Sequence, residues 1–496
     1  MRWTIACVVA LILLGFLNTA NAGEPVGPDW DSNQILEVRG QAKNDMILLN
    51  YRSETTGGGK APLIDTGIAF LGVDFDHIIT NNSQAITDYK FCRVYVWSPS
   101  GNIFDNQSCY ADPAFRKIEL SNRLKLGKIL GKVGAKNFEG IGDDHSFWLA
   151  QEFAVQNSEP KSLTMVESKV NFNWQVSGET VAILSQDGLR FDAHDTKRFA
   201  RYLARHINIH PQIRQAILDR QILPYKIEII HRKFEGASIE TISFSSSQRI
   251  VSAYPLPPNM SASIFVKSEG TTAKAVGIKK SLSAIAGTAN SIKPSFEELL
   301  QKLELQAKLG DSIQTTLTFL KLTQFYGGAL FSEKQKMDRL RKIMPDVALQ
   351  LQTGEGAKFM AASNLAGSAG KGNEREVAAA YLADAKNLDE LDFGTFRLVT
   401  FANLARITTD SAQWDKRIFE NVPSLTDSYW THIAAHPWAS NTFKDLGDTE
   451  YSQFNTFAAW DAWDLGKAID PDWQGGSLKS LVELENKIRT AMPDNF

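Results

Sequence analysis

Cysteine is scarce in this chain: three occur in 496 residues, Cys7, Cys92 and Cys109. None of them forms a C-x-x-C pair, so the spacing that serves redox dithiols is absent. Excess positive charge is missing too. Lys and Arg number 53 against 56 Asp and Glu, a formal net charge of -3, which excludes the basic footprint of a nucleic-acid binder and a strongly charged membrane-binding surface. The opening apolar run, Ile5 to Leu17, falls short of the roughly 20 residues that span a bilayer. With 43% hydrophobic and 22% charged residues, the composition also excludes wholesale disorder.

That opening run has a different use. Arg2 precedes it and the small-residue triplet Ala20-Asn21-Ala22 follows, the three parts of a secretory signal peptide with cleavage after Ala22. The expectation is an exported chain, periplasmic or extracellular, with no transmembrane anchor after cleavage of residues 1–22. Cys92 and Cys109 then remain as an even pair, and an oxidising compartment favours their bonding. Around them, "YKFCRVYVWSPSGNIFDNQSCY" alternates like two strands about a Ser-Pro-Ser-Gly-Asn turn. In a symmetric hairpin, residues whose numbers sum to about 201 face each other. Trp97 then meets Phe104 and Cys92 meets Cys109, which predicts a cross-strand disulfide.

Branched and aromatic runs separated by Gly, Asn, Asp and Ser recur from Gly23 to Phe265, among them "DMILLNY", "APLIDTGIAFLGV", "ETVAILS", "YKIEIIHRKF" and "SIETISF". They predict a β-rich α+β region over 23–265, which a break near residue 145 would divide into two subdomains. "AILSQDGLRF" reads as a second hairpin on its Asp-Gly turn. Helices are expected at 195–209 and 211–222. Residues 266–294 hold no aromatic side chain and are dominated by small residues and Lys, the texture of a linker, with a weakly marked helix around 279–286 as the other reading. From 295 to 496 repeated capping-box spacings, Ser295 with Glu298, Ser332 with Gln335 and Asp410 with Gln413, predict an all-α domain, a bundle or an irregular α-solenoid. Its helices are expected at 296–309, 312–326, 333–343, 374–386, 393–406, 411–420, 426–435, 449–468 and 477–491. The fold class is therefore α+β, with a disulfide-stapled β-rich region followed by an all-α domain.

Candidate chemistry begins at "FDAHDTKRFARYLARHINIHP", residues 191–211. Asp192, His194, His206 and His210 are the residue types of a transition-metal site, with Asp195 beside them, and "HIAAHP" repeats the His spacing at 432–437. Histidines at i and i+4 on a helix can share a metal. Here, however, Ile207 and Ile433 stand where a metalloprotease carries its Glu, and Pro211 and Pro437 disfavour a helical residue before them. Phe199, Leu203 and Ile207 form the apolar stripe of the first helix, opposite a solvated face of Lys197, Arg201 and Arg205. No cofactor is expected, and a transition metal at this cluster is the one candidate.

Asp65-Thr66-Gly67 resembles the D-[ST]-G loop of aspartic proteases, which implies Asp65 as a catalytic carboxylate sharing a proton with a second one. No second D-[ST]-G occurs, so the pair would come from a dimer, and Ile68 departs from the small residue that usually follows. "LAGSAGKG", 365–372, matches neither a nucleophile elbow nor a phosphate loop and reads as a loop. "RLKLGKILGKVGAK", 123–136, aligns Lys125, Lys128, Lys132 and Lys136, but its three glycines favour a surface hairpin or a frayed helix. The last third is aromatic, and Trp430, Trp438, Trp460 and Trp463 are the candidate binding residues for a protein or glycan partner. The leading expectation is an exported, soluble binding or interaction protein working through its helical domain. The alternative is a secreted hydrolase, through Asp65 or through the metal cluster.

Overall fold

The computed structural model describes residues 39, 43–57, 60–99, 104–132, 145–156, 163–233, 236–255, 272–285, 293–357, 425–470 and 479–496. The leader expected at 1–22, the loop expected at 365–372, the capping pair expected at Asp410, and the helices expected at 374–386, 393–406 and 411–420 lie outside them. Two compact units are present. One unites Pro28–Lys267 with Glu483–Phe496, and the other comprises Ser268–Val482.

The first unit is built on an antiparallel sheet. Its strands are β1 (Lys43–Gly57), β2 (Lys60–Leu71), β3 (Phe75–Thr80), β4 (Gln84–Asp88), β5 (Arg93–Trp97), β6 (Phe104–Ser108), β7 (Thr164–Glu167), β8 (Asn171–Val176), β9 (Glu179–Ser185), β12 (Lys226–Lys233) and β13 (Gly236–Ala253). They lie in the order β6-β5-β4-β3-β2-β1-β13-β12-β9-β8-β7. The first and last strands in sequence thus pair at the centre, Lys43 opposite Ala253 and Gly57 opposite Ser238. One sheet runs across position 145, so no break in the sheet separates two subdomains there.

Side-chain alternation sets up two cores. Ile47 and Leu49 of β1 point with Ile242 and Phe244 into a large apolar cluster, while Met46 turns to the other face with Phe75, Ile86, Tyr95 and Trp97. The first cluster is covered by helices α2 (His145–Glu152), α3 (Thr196–His206) and α4 (Pro211–Arg220), and α1 (Ala111–Lys132) packs with α2. Phe199, Leu203 and Ile207 are all buried, as their spacing predicts. Arg201 is not on a solvated face. It is buried, with its guanidinium 3.8 Å over the Tyr89 ring and Nη2 donating to the carbonyls of Gly72 and Val73, because a planar guanidinium can be satisfied by carbonyls and an aromatic face together. The 123–136 stretch is helical as far as Lys132, and Lys136 lies outside the described residues.

The disulfide hairpin forms in the expected register. Trp97 faces Phe104 and Arg93 faces Ser108, which sets the bonded Cys92 and Cys109 at a Cα separation of 4.9 Å. The second hairpin does not form. β9 pairs with β8 and β12, while the segment after the Asp-Gly turn, β10 (Gly188–Arg190), pairs with β11 (Ile222–Pro224) in a separate two-stranded sheet. The turn redirects the chain out of the main sheet instead of folding it back.

Helices make up the described part of the second unit: α5 (Ala273–Ile285), α6 (Phe296–Leu309), α7 (Ser312–Ser332), α8 (Lys334–Leu351), α9 (Leu425–Ala435), α10 (Ser440–Ser452) and α11 (Thr456–Ile469). The last helix, α12 (Lys479–Ala491), carries the chain from this unit back into the first. At Ser295 the capping box is complete: its hydroxyl accepts from the Glu298 amide at 3.1 Å, and the Glu298 carboxylate accepts from the Ser295 amide at 2.7 Å. The one expected at Ser332 is absent, because Ser332 still belongs to α7 and Glu333 caps α8 without a side-chain bond. The helix expected at 449–468 is two helices, α10 and α11, divided where Phe454 takes a left-handed φ of 67°.

The stretch expected to be a linker contains α5. Its small residues serve packing: Ala275, Gly277, Ile278 and Ser281 are buried, and a Cβ at Gly277 would stand 2.7 Å from the Trp430 ring. Without aromatic residues of its own, the helix borrows one from α9.

Two outcomes test this packing. Replacing both Cys92 and Cys109 by Ser is expected to lower stability by about 3 kcal/mol through the regained freedom of the unfolded loop, read as a shift in denaturant midpoint at an m-value adjusted for the lost cross-link. Gly277→Leu forces a side chain into the Trp430 ring and is expected to cost about 1–3 kcal/mol, read on the Trp fluorescence transition.

Candidate functional site

The acid and histidine cluster does not converge. Asp192 and Asp195 sit before α3, and both carboxylates accept from the Arg249 guanidinium, Asp192 Oδ2 at 3.1 Å. Asp45 completes this network through Arg249 and Arg198. His206 ends the same helix, and eleven residues of α-helix carry its backbone about 16 Å along the axis from Asp195. His210 caps α4 instead, its Nδ1 accepting from the Gln212 amide at 3.3 Å while its ring stacks on Phe147 at 4.4 Å. Burial, then the charge of Arg214, pushes it down to about 4. His194 is exposed. Among the described residues no group of three or more His, Cys, Asp or Glu is placed to hold a metal ion.

Asp65 lies inside β2, opposite Ser53 of β1, and not in a loop. A shared-proton pair needs two carboxylates presented on apposed turns, and a residue in the middle of an antiparallel ladder is not so presented. Its negative charge instead adds to burial in pushing Tyr51 up to about 12. Beside it, and not apparent from sequence, Glu240 accepts from the Ser53 hydroxyl at 3.3 Å and faces His231 Nε2 at 3.1 Å. The carboxylate stands between Ser and His, whereas nucleophile activation needs His next to the hydroxyl.

The four tryptophans are buried, none more than 8% exposed. Trp430 packs on α5. Trp460 and Trp463 lie edge to face at 5.0 Å between α10 and α11, and Trp463 Nε1 donates to Lys444 O and Asp448 Oδ1, both at 3.3 Å. A stacking platform for glycans needs exposed ring faces, which these three do not offer. Their helix spacing marks a core.

Trp438 differs because its ring walls a cavity of about 470 Å³ within the helical unit. α6 contributes Glu298, Leu299 and Lys302; α7 contributes Thr318, Lys321 and Phe325; Ala435 and His436 follow from the end of α9. Leu299, Thr318, Phe325 and Trp438 are buried and make the floor, whereas Glu298, Lys302 and Ala435 are exposed at the mouth. Phe325 and Trp438 meet edge to face at 6.3 Å, which gives the floor a right-angled aromatic corner.

The polar groups of this cavity are mostly basic. Lys321 is the one charged side chain of α7, and burial, then the nearby charge of Lys302, holds it below the ordinary lysine value. His436 is pushed down to about 4 by burial and then by Lys321. His432, one turn earlier, is fully buried and pushed to about 3 by burial, His436 and Lys321. Their rings are 4.8 Å apart, and the His436 amide still donates to the His432 carbonyl at 2.8 Å. Pro437 therefore does not prevent the shared helical face. The pair that would suit a metal faces a lysine instead.

Sequence reading singled out Trp438 and His436 but missed Lys302, Lys321, Thr318 and Phe325. The signal for Lys321 was present, a lone charge in the apolar run "TLTFLKLTQFY", since a charge on an otherwise apolar helix is either misplaced or used. No protein-family model matches this chain, and no curated protein is significantly similar to it.

His436 in the cavity and His432 one turn earlier are expected to stay neutral down to about pH 5, read by their imidazole resonances in a titration. A histidine depressed from the ordinary value of about 6.5 stabilises the fold above that pH, and the contribution is lost as pH falls toward the folded values of about 4 and 3. Stability of the helical unit should therefore drop between pH 6.5 and 4, and His436→Gln should flatten that slope.

Proposed function

We propose that this chain is an exported binding protein that holds a small organic ligand in the cavity between α6, α7 and the end of α9. The observation that carries the reading is the cavity itself, about 470 Å³ with an aromatic floor and a polar mouth. Ligand sites in proteins are typically apolar clefts of about 300–1,000 Å³ with a few placed polar groups. Lys321 supports it from a second side, as one of the few polar groups placed against the aromatic floor. The export half of the reading is supported by the signal-like residues 1–22 and by the Cys92–Cys109 disulfide, which suits an oxidising compartment. No described helix is long and apolar enough to cross a membrane.

Compared with the expectation from sequence, the binding role moves from an aromatic surface to an aromatic-floored cavity. Of the four candidate tryptophans, only Trp438 takes part. The hydrolase alternative draws no support from the placement of Asp65 or of the 192–210 cluster.

Ala435, exposed at the mouth, is the position to occlude. Protein purified from its native compartment and sprayed under native conditions should carry a non-covalent adduct, and Ala435→Trp should lose it while unfolding at an unchanged temperature in the ligand-free state. The same bare mass for both proteins, with no stabilisation of the wild type by native extract, would sink the reading.

A further inference from the structure

We propose that the outward face of α1 docks on an anionic lipid surface. Nothing in this rests on the ligand-holding cavity, which belongs to the other unit. α1 carries two apolar stripes. At about 100° per residue, Leu120 and Leu124 fall together on one side, while Phe115, Ile118, Leu126 and Ile129 share an arc on the other. The first stripe packs: Leu120 is buried with Leu149, Phe153, Val155 and Met492, and Leu124 lies against that cluster. Arg123 holds the same side, its guanidinium 4.9 Å over the Phe153 ring and 3.1 Å from Glu152 of α2. The second stripe faces water. Ile118 is half-buried, but Phe115 is 37% exposed, Leu126 52% and Ile129 59%.

Charge decides what such a face meets. α1 holds six basic residues and two acidic ones. Both acids are paired within the helix, Asp112 with Arg116 and Glu119 with Arg123, and no Asp or Glu follows before Lys132. Lys117, Lys125 and Lys128 are exposed along one border of the stripe, and among the described residues none of the three meets a carboxylate. The net charge of -3 for the whole chain conceals this local excess of cations. A bilayer with anionic headgroups answers both halves of the face. The lysine heads reach lipid phosphates while their stems and the apolar stripe sink among the headgroups. An acidic polypeptide would satisfy the lysines and leave the stripe in water.

The test is flotation of the full chain with vesicles of phosphatidylcholine alone and of phosphatidylcholine mixed equally with phosphatidylglycerol. Partition onto the mixed vesicles is expected to be at least roughly tenfold stronger than onto the neutral ones. Lys125→Gln with Lys128→Gln should weaken it about thirtyfold. Leu126→Ser with Ile129→Ser should weaken it roughly tenfold. Both double variants should unfold at the wild-type temperature, because all four side chains are exposed. Leu126→Cys carrying an environment-sensitive fluorophore should shift to the blue on the mixed vesicles, as the stripe enters the headgroup layer. Equal partition onto both vesicles, an unshifted fluorophore, or full binding by the Leu126→Ser, Ile129→Ser variant would overturn the proposal. Polyglutamate bound as tightly as the mixed vesicles would overturn it too, in favour of an acidic polypeptide.

Discussion

The pairing of β1 with β13 is the constraint on which the sheet unit depends. These strands are separated by some two hundred residues of chain, yet they run side by side from Lys43 opposite Ala253 to Gly57 opposite Ser238. Every other strand of the sheet is added outward from this central pair. Each face of the ladder seeds a core, Ile47, Leu49, Ile242 and Phe244 on one side and Met46 and Ile250 on the other. A one-residue slip would exchange the two sets. The ladder also fixes the start of α3, because Arg249 of β13 joins Asp45 of β1 to Asp192 and Asp195. What reads in sequence as an acidic metal cluster is thus an anchor for a helix over a sheet.

Charge neutralisation separates the two histidine-bearing segments. At 191–211 the carboxylates meet Arg249, His206 ends a helix, and His210 caps one and stacks on Phe147. In the cavity the basic groups cluster, and burial, then a neighbouring positive charge, lowers the basicity of Lys321 and of His436. The same residue types therefore serve structure in one place and suit recognition in the other.

How much was legible in the sequence follows from how local each signal is. The hairpin register around Cys92 and Cys109, the stripe of Phe199, Leu203 and Ile207, and the capping box at Ser295 each depend on residues within one element, and each forms as its spacing predicts. The Asp-Gly turn at 187–188 misled because the partner of β10 is β11, more than thirty residues on, and turn chemistry says nothing of distant partners. α5 escaped notice because a helix made of small residues gains its burial from Trp430, which its own sequence does not contain. The cavity was half visible, in Trp438 and His436. Lys302, Lys321 and Phe325 come together with them only through the packing of helices far apart in sequence.

The return of the chain to the sheet unit has a consequence for how the protein is made. Glu483–Phe496 belong with Pro28–Lys267, and they are held there closely: Arg205 Nε donates to the Asn495 carbonyl at 2.8 Å, Arg214 pairs with Asp494 at 2.9 Å, and Met492 joins Leu120, Leu149 and Phe153. The helical unit is thus an insertion within the covalent order of the other. A ribosome delivers all of the insertion before the last turn that finishes its host, so the sheet unit waits, with the apolar patch of Leu149 and Phe153 uncovered, while the inserted unit can already close. The packing of Glu483–Phe496, rather than completion of the sheet, becomes the event that seals the first-made half of the molecule.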